Sequence, residues 1–197
     1  MPGTPLLVIL TGPSGAGKDT LIDRLKSRPD SPYGFAVTAT TRPRRNEERD
    51  GREYHFVTKG EFERMVRDGE MLEHAVVYGQ PKGIPRRSVQ DVFALGKDAL
   101  LRTDIQGARY LKSIIPGAVT VFIAPPSAEE MEKRLRSRGG DTPEQVAVRL
   151  QTAAEELAAA PEFDYTVVND DVDRAIAEIE SIISTERKRA GREPVSL

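Results

Sequence analysis

At 197 residues the chain is long enough for one α/β domain with a buried core and small appended segments. Its 29 basic and 31 acidic side chains leave a net charge of −2, which excludes a protein that coats nucleic acid by charge alone. Cysteine is absent, so disulfides and thiolate metal sites are excluded, and two histidines, His55 and His74, are too few for a histidine-rich metal cluster.

The first element is the apolar run at residues 5–10, with a strand expected over Leu6–Leu10. That run is too short for a signal peptide or a membrane span, so a soluble cytoplasmic protein is the expectation. A glycine-rich turn and an amphipathic helix carrying Leu21, Ile22 and Leu25 follow. Beyond "RPDSPYG" an extended segment is expected over Phe35–Thr40. Further strands are expected at Ala99–Thr103, Val119–Ala124 and Tyr165–Val168. Helix starts carry capping signals: Thr58 with Glu61, Ser127 with Glu130, and Thr142 with Gln145 and Pro143. The last helix is expected from Val172 to Arg189, with Ala175, Ile176, Ile179, Ile182 and Ile183 on one face. Short apolar runs alternating with amphipathic stretches indicate an α/β fold with a parallel sheet. Residues 42–98 interrupt the rhythm as an insertion, and "RGGDT" at 138–142 reads as a hinge between two arginine-bearing helices. Two excursions over one core suggest parts that close on substrates.

The turn after the first strand reads "GPSGAGKDT", Gly12 to Thr20. Gly12, Gly17 and Lys18 match the phosphate-loop spacing G-x-x-x-x-G-K, with Pro13, Ser14, Gly15 and Ala16 between. Glycines let backbone N–H groups turn toward polyphosphate, the helix points its positive end at the same place, and Lys18 adds a full charge. The pattern calls for a hydroxyl after the lysine, and here stands Asp19. A carboxylate is a hard ligand that suits Mg²⁺. It also suits the first turn of a helix, in which case Thr20 or Asp104 would serve the metal.

Residues 38–56, "TATTRPRRNEERDGREYHF", hold five arginines between positions 42 and 52, interleaved with Glu47, Glu48 and Asp50. Arg42 and Arg45 suit bidentate contact with one phosphate. A solvated charged loop or a basic patch for RNA are the alternatives, and the interspersed acids weaken the RNA reading.

The segments "GPSGAGK", "TATTRPRR…DGREYHF", "EMLEHA", "DIQGA", "FIAPPS", "RLRSRGGD" and "FDYTVVND" resemble guanylate kinases, in order, from residue 6 to about 185. The resemblance implies a three-layer P-loop kinase fold with a parallel core sheet (1–33, 99–126 and 160–197), a GMP-binding insertion (34–98) and a lid (about 127–159). It implies an ATP-dependent kinase making GDP from GMP in purine metabolism, with Mg²⁺ as cofactor, nucleotides as partners, and neither nucleic acid nor membrane. The oligomeric state is not implied. By the same resemblance Arg42, Arg45 and Tyr54 hold the GMP phosphate, and Thr38, Glu73 and Asp104 lie on the guanine side. A carboxylate at Glu73 can accept from both N1–H and the exocyclic N2–H of guanine, a pairing adenine does not offer. Arg138 and Arg149 match lid arginines that reach the transferred phosphate, and Asn169 matches a position beside the adenine.

The chain departs from that pattern in three places. Asp19 replaces the loop hydroxyl. "QPKGI" at 80–84 puts Lys82 where a phosphate-binding tyrosine is expected, and Ile84 where a hydroxyl helps read guanine. The first acid of "D-x-D-x-Q-G" is Arg102, leaving Asp104 alone after the strand. One lost purine contact costs ~0.5–1.5 kcal/mol, so base selectivity is expected to be looser. Two rival readings share some of these motifs: a kinase of a phosphorylated sugar such as ribose 1,5-bisphosphate, and a non-catalytic guanylate-kinase-like binding module. The first leaves "DGREYHF" and Glu73 without a purpose, and the second leaves Lys18, Arg138 and Arg149 without one.

Overall fold

The computed structural model describes residues 4–28, 30–45, 48–52, 54–77, 79–137, 150, 152–153 and 155–197. The apolar run after Pro5 forms strand β1 (Leu7–Thr11), buried at all five positions. A strand covered on both faces must be apolar at successive residues, because each alternate side chain meets a different layer. Here Leu6, Val8 and Leu10 enter one cluster, while Leu7 and Ile9 enter the other.

β1 is the centre of a five-stranded sheet. It pairs on one side with β7 (Asp98–Arg102), which pairs with β2 (Tyr33–Phe35), and on the other with β8 (Val119–Ala124), which pairs with β9 (Tyr165–Val168). All four pairings are parallel. Helices α1 (Lys18–Lys26) and α6 (Val172–Lys188) cover one face through Leu21, Ile22, Leu25, Ile176, Ile179 and Ile183. On the other face lie α3 (Arg86–Ala94) and α4 (Ile105–Ile114), through Val89, Val92, Ile105, Ala108 and Leu111. The result is the three-layer α/β architecture expected, and the expected strands at Val119–Ala124 and Tyr165–Val168 stand where the apolar runs placed them. Parallel order aligns the C-terminal ends of the strands on one edge, where such sheets place ligands.

The extended segment expected over Phe35–Thr40 is broken in two. Tyr33–Phe35 stays in the core sheet, and Ala39–Thr40 forms β3 of a second sheet. That sheet has the order β4 (His55–Phe56), β3, β6 (Gln80–Pro85), β5 (Met71–Val77). Helix α2 (Lys59–Arg67) packs on it through Phe62, which meets Ala39 and Met71. Its capping box is complete: the Thr58 hydroxyl accepts from the Glu61 N–H at 3.2 Å, and the Glu61 carboxylate accepts from the Thr58 N–H at 2.9 Å. Helix α5 (Ala128–Ser137) likewise starts where Ser127 accepts from the Glu130 N–H at 3.1 Å. The cap expected at Thr142 lies outside the described residues. Among the described residues no helix is long and apolar enough to cross a membrane.

Candidate active site

The chain between β1 and α1 turns three times through the left-handed region, at Gly12 (φ 138°), Gly15 (φ 85°) and Gly17 (φ 84°). Gly17 caps α1 and has no side chain to close the helix end, so the first N–H groups face the loop. A β-carbon at Gly12 would overlap the carbonyl of Ile123 on β8. Lys18 folds over the loop and donates from Nζ to the carbonyls of Gly12 at 2.5 Å and Pro13 at 2.9 Å. Asn169, buried just past β9, donates from its amide to the carbonyl of Ala16 at 2.8 Å. That amide is the loop's anchor. Arg134 on α5 in turn donates to the Asn169 carbonyl at 3.2 Å through both terminal nitrogens. Asp19, the second residue of α1, pairs with Arg102 at the end of β7.

In front of the loop opens a cleft of about 430 Å³. One end is lined by Gly12, Ser14, Gly15, Gly17, Lys18 and Asp19. The far wall is formed by Glu73 and Lys82 of the second sheet with Thr38 and Tyr54 just before its strands β3 and β4, and Arg102 at the end of β7 and Asp104 at the start of α4 close it. Thr38 and Tyr54 of the arginine-rich pattern therefore share one space with the phosphate loop, while Arg42 and Arg45 stand outside this lining. Thr20 is exposed and stands outside this lining.

At the second sheet, cations gather around one ring. The Arg42 guanidinium lies 4.9 Å from the Tyr54 ring centroid and 5.4 Å from that of Phe56, and Lys82 Nζ lies 5.8 Å from Tyr54. Lys82 reaches this place because β6 sets it opposite Thr40 of β3. Burial, and then the charges of Arg42 and Arg45, push the Lys82 ammonium below its usual range. Arg42 and Lys82 thus bring positive charge to one ring, with Arg45 close enough to act on Lys82. Glu48 orders the group: its carboxylate accepts from both terminal nitrogens of Arg42 and from the backbone N–H of Arg45 at 2.9 Å. These bonds hold its carboxyl well down, at about 2.

At the cleft floor Glu73 on β5 faces Ile84 on β6. Burial, then the neighbouring Asp104 charge, push the Glu73 carboxyl up to about 7. Asp104 caps α4, accepting from the Gly107 N–H at 2.8 Å. A β-carbon at Gly107 would stand 3.1 Å from the Glu73 carboxylate, so that glycine lets the acid approach the helix. Ile84 is 2% exposed and packs with the apolar cluster beneath α3. Its position offers the cleft an apolar floor in place of a hydroxyl.

Two groups escaped the sequence reading. Arg134 stands beside the loop anchor. Glu156 lines the cleft and accepts from the backbone N–H of Ser14, its carboxyl pushed up by burial and partly drawn back by that bond and by Lys18. Arg134 opens the quoted segment "RLRSRGGD" and Glu156 belongs to no quoted segment, and only folding reveals the place of each at the loop. Arg138 and Arg149 lie outside the described residues.

Comparison with known proteins bears on the same constellation. The family model described as guanylate kinase matches residues 4–186. The guanylate kinase of Alkalilimnicola ehrlichii is 43% identical over 193 residues, covering 98% of this chain and 94% of that protein. The guanylate kinase of Symbiobacterium thermophilum is 44% identical over 199 residues, with coverage of 100% and 94%. The crystal structure of guanylate kinase from Anaplasma phagocytophilum superposes with a TM-score of 0.74 at 31% identity, covering 96% of this chain and 90% of that one. Matches of this extent span the phosphate loop, the second sheet and the core together, and the chain belongs to the guanylate kinase family.

Proposed function

We propose that the protein transfers the γ-phosphoryl group of ATP to the 5′-phosphate of GMP, giving ADP and GDP. The observation that carries the reading is the single cleft with the phosphate loop at one end and Tyr54, Lys82 and Glu73 at the other. The loop glycines and Lys18 bind the donor's polyphosphate, with Asn169 holding the loop at the adenine side. Arg42, Arg45, Tyr54 and Lys82 bind the acceptor phosphate, and Thr38, Glu73 and Asp104 form the guanine side.

An oxygen of the GMP phosphate attacks the γ-phosphorus while the bond from that phosphorus to the β–γ bridging oxygen breaks, and ADP leaves with the bond's electrons. The attacking oxygen is already anionic near neutral pH, so no general base is needed. Catalysis is then alignment of two phosphates and neutralisation of spreading charge. Arg42 and Arg45 fix the acceptor in line, with Glu48 holding the Arg42 guanidinium through both terminal nitrogens. Lys18 supplies charge at the donor, together with the lid arginines Arg138 and Arg149. Among the described residues no group of three or more His, Cys, Asp or Glu side chains could cage a metal. Mg²⁺ keeps several waters and needs one or two carboxylates beside the substrate phosphates. Asp19 and Asp104, both lining the cleft, are the residues that would hold it, and bound Mg²⁺ would neutralise the transferring phosphate oxygens. A cysteine-free chain of this composition fits the cytoplasm.

A coupled ADP-release assay across GMP, AMP, CMP and UMP tests the reading. GMP is expected to lead, by a smaller margin than a hydroxyl at position 84 would give. Equal rates with all four nucleotides would overturn it, as would preference for a phosphorylated sugar.

A further inference from the structure

Asp19 and Arg102 are both departures from the pattern of the guanylate kinases, one in the phosphate loop and one at the end of β7. They are 83 residues apart in sequence, and in the fold they are each other's ion-pair partner. The backbone brings them together. Arg102, the last residue of β7, sits opposite Leu10 in the parallel pairing of β7 with β1, and the Thr103 N–H donates to the Leu10 carbonyl at 3.3 Å. Arg102 therefore emerges beside the start of the loop, while Asp19 is carried on the first turn of α1 directly after Lys18. Both line the cleft that would receive polyphosphate, and both keep substantial exposure, 39% and 51% of the side chain.

We propose that the two form a charge exchange that answers the donor nucleotide, making Arg102 a donor-binding residue of this enzyme. This rests on the reading that the Gly12–Thr20 loop holds the donor's polyphosphate. With the loop empty, a bare carboxylate beside Lys18 would repel incoming phosphate, and Arg102 cancels that charge. When polyphosphate arrives with a divalent cation, the requirements reverse. The carboxylate is then a hard ligand within reach of a dication. The guanidinium is repelled by the dication and attracted by phosphate oxygens that match its fork. Arg102 passes from Asp19 to phosphate, and the cleft stays near charge balance in both states. The pattern of a loop hydroxyl with an acid at the strand end has no cation to move. Here the acid lies on the loop and the mobile charge on the strand. The exposed setting allows the exchange, because an exposed ion pair is weak enough to trade partners.

The test measures ADP binding by isothermal titration in EDTA and in excess Mg²⁺, and compares the factor by which Mg²⁺ strengthens binding. For Arg102→Ala that factor is expected to rise about two- to fivefold, mainly because metal-free ADP meets an uncancelled carboxylate, a range set by the modest strength of exposed pairs. For Asp19→Ser it is expected to fall by a similar factor, since metal-free ADP gains a released guanidinium. Arg102→Lys, which keeps the charge, is expected to return the factor close to that of the wild type. A pair that only ties α1 to β7 would shift the melting temperature of both variants and leave the Mg²⁺ factor unmoved. That outcome overturns the exchange. Wild-type protein that binds no ADP under either condition overturns the loop reading and the exchange together, whereas wild-type binding with unmoved variants overturns the exchange alone.

Discussion

The side-chain amide of Asn169 donates to the carbonyl of Ala16 across 153 residues of chain, and Gly17 is the residue that leaves it room. A β-carbon at Gly17 would overlap the Asn169 amide, and its φ of 84° is one that other residues adopt with strain. Gly17→Ala is therefore expected to destabilise the fold by about 2–4 kcal/mol, the sum of left-handed strain and an unsatisfied buried amide. ADP affinity should fall with it. Urea denaturation and titration check both; a variant with wild-type stability and affinity would show that the loop tolerates another anchor.

Lys18 folds a full positive charge over the loop. Its replacement by Ala is expected to lower kcat by ~10²–10³, the scale for removing a preorganised donor at developing charge. Circular dichroism should match that of the wild type. Activity within tenfold would move the neutralising role elsewhere.

The Glu73 carboxyl, held up to about 7, titrates in the middle of the working range. Guanine's N1–H and N2–H need the anion as acceptor, so GMP binding should strengthen as pH rises from 6 to 8. Glu73→Gln should bind GMP more weakly and lose the Glu73 share of that slope, leaving only the titration of GMP's own phosphate. Stability runs the opposite way. An acid whose folded-state value lies above its ordinary 4.5 makes the fold bind the proton more tightly, so stability is lost as pH rises between 4.5 and about 7. Glu73→Gln should accordingly raise stability at pH 8 by roughly 1–2 kcal/mol, reduced for partial solvent screening, and change little at pH 4. Parallel melting curves across that pH range would decide it; equal gains at both ends would remove Glu73 as the cause.

Glu48, with its carboxyl drawn down to about 2 by Arg42 and then by the Arg45 N–H, stays ionised at every working pH. Glu48→Gln should loosen the Arg42 guanidinium and raise the KM for GMP about three- to tenfold, with kcat within about twofold, as expected for a lost ground-state grip. No new pH dependence should appear between 5 and 9. Steady-state kinetics in GMP read this directly, and a loss confined to kcat would instead place Arg42 at the transferring phosphate.

Much of the molecule was legible because its signals are local. The phosphate loop is nine consecutive residues, and each core strand is a run whose two faces are both covered. The capping box of α2 lies within Thr58–Glu61 and could be read directly. The break between Tyr33–Phe35 and Ala39–Thr40 was not legible, since residues 36–38 leave one sheet for the other with no glycine or proline to mark the departure. Glu48 was one acid among several until its bonds to Arg42 and Arg45 singled it out. Asp19 and Arg102 each read as an isolated departure, because nothing in a single sequence says that positions 83 apart will meet. Arg134 opens "RLRSRGGD" but shows no link to the loop until α5 sets it beside Asn169, and Glu156 joins the cleft only through the helical residues 155–157.

The tether from Asn169 to Ala16 also orders events during synthesis. A growing chain makes its glycine-rich turn almost at once, but the strand on one side of β1 brings Arg102 much later, and the amide that fixes the turn emerges later still. The arginine grip is different: Arg42, Arg45, Glu48 and Tyr54 leave the ribosome within one short stretch, and Lys82 follows on β6, still well ahead of Asn169. The parts of the acceptor grip thus emerge early and the anchor of the phosphate loop late, so most of the sequence must be made before that loop can be tied down.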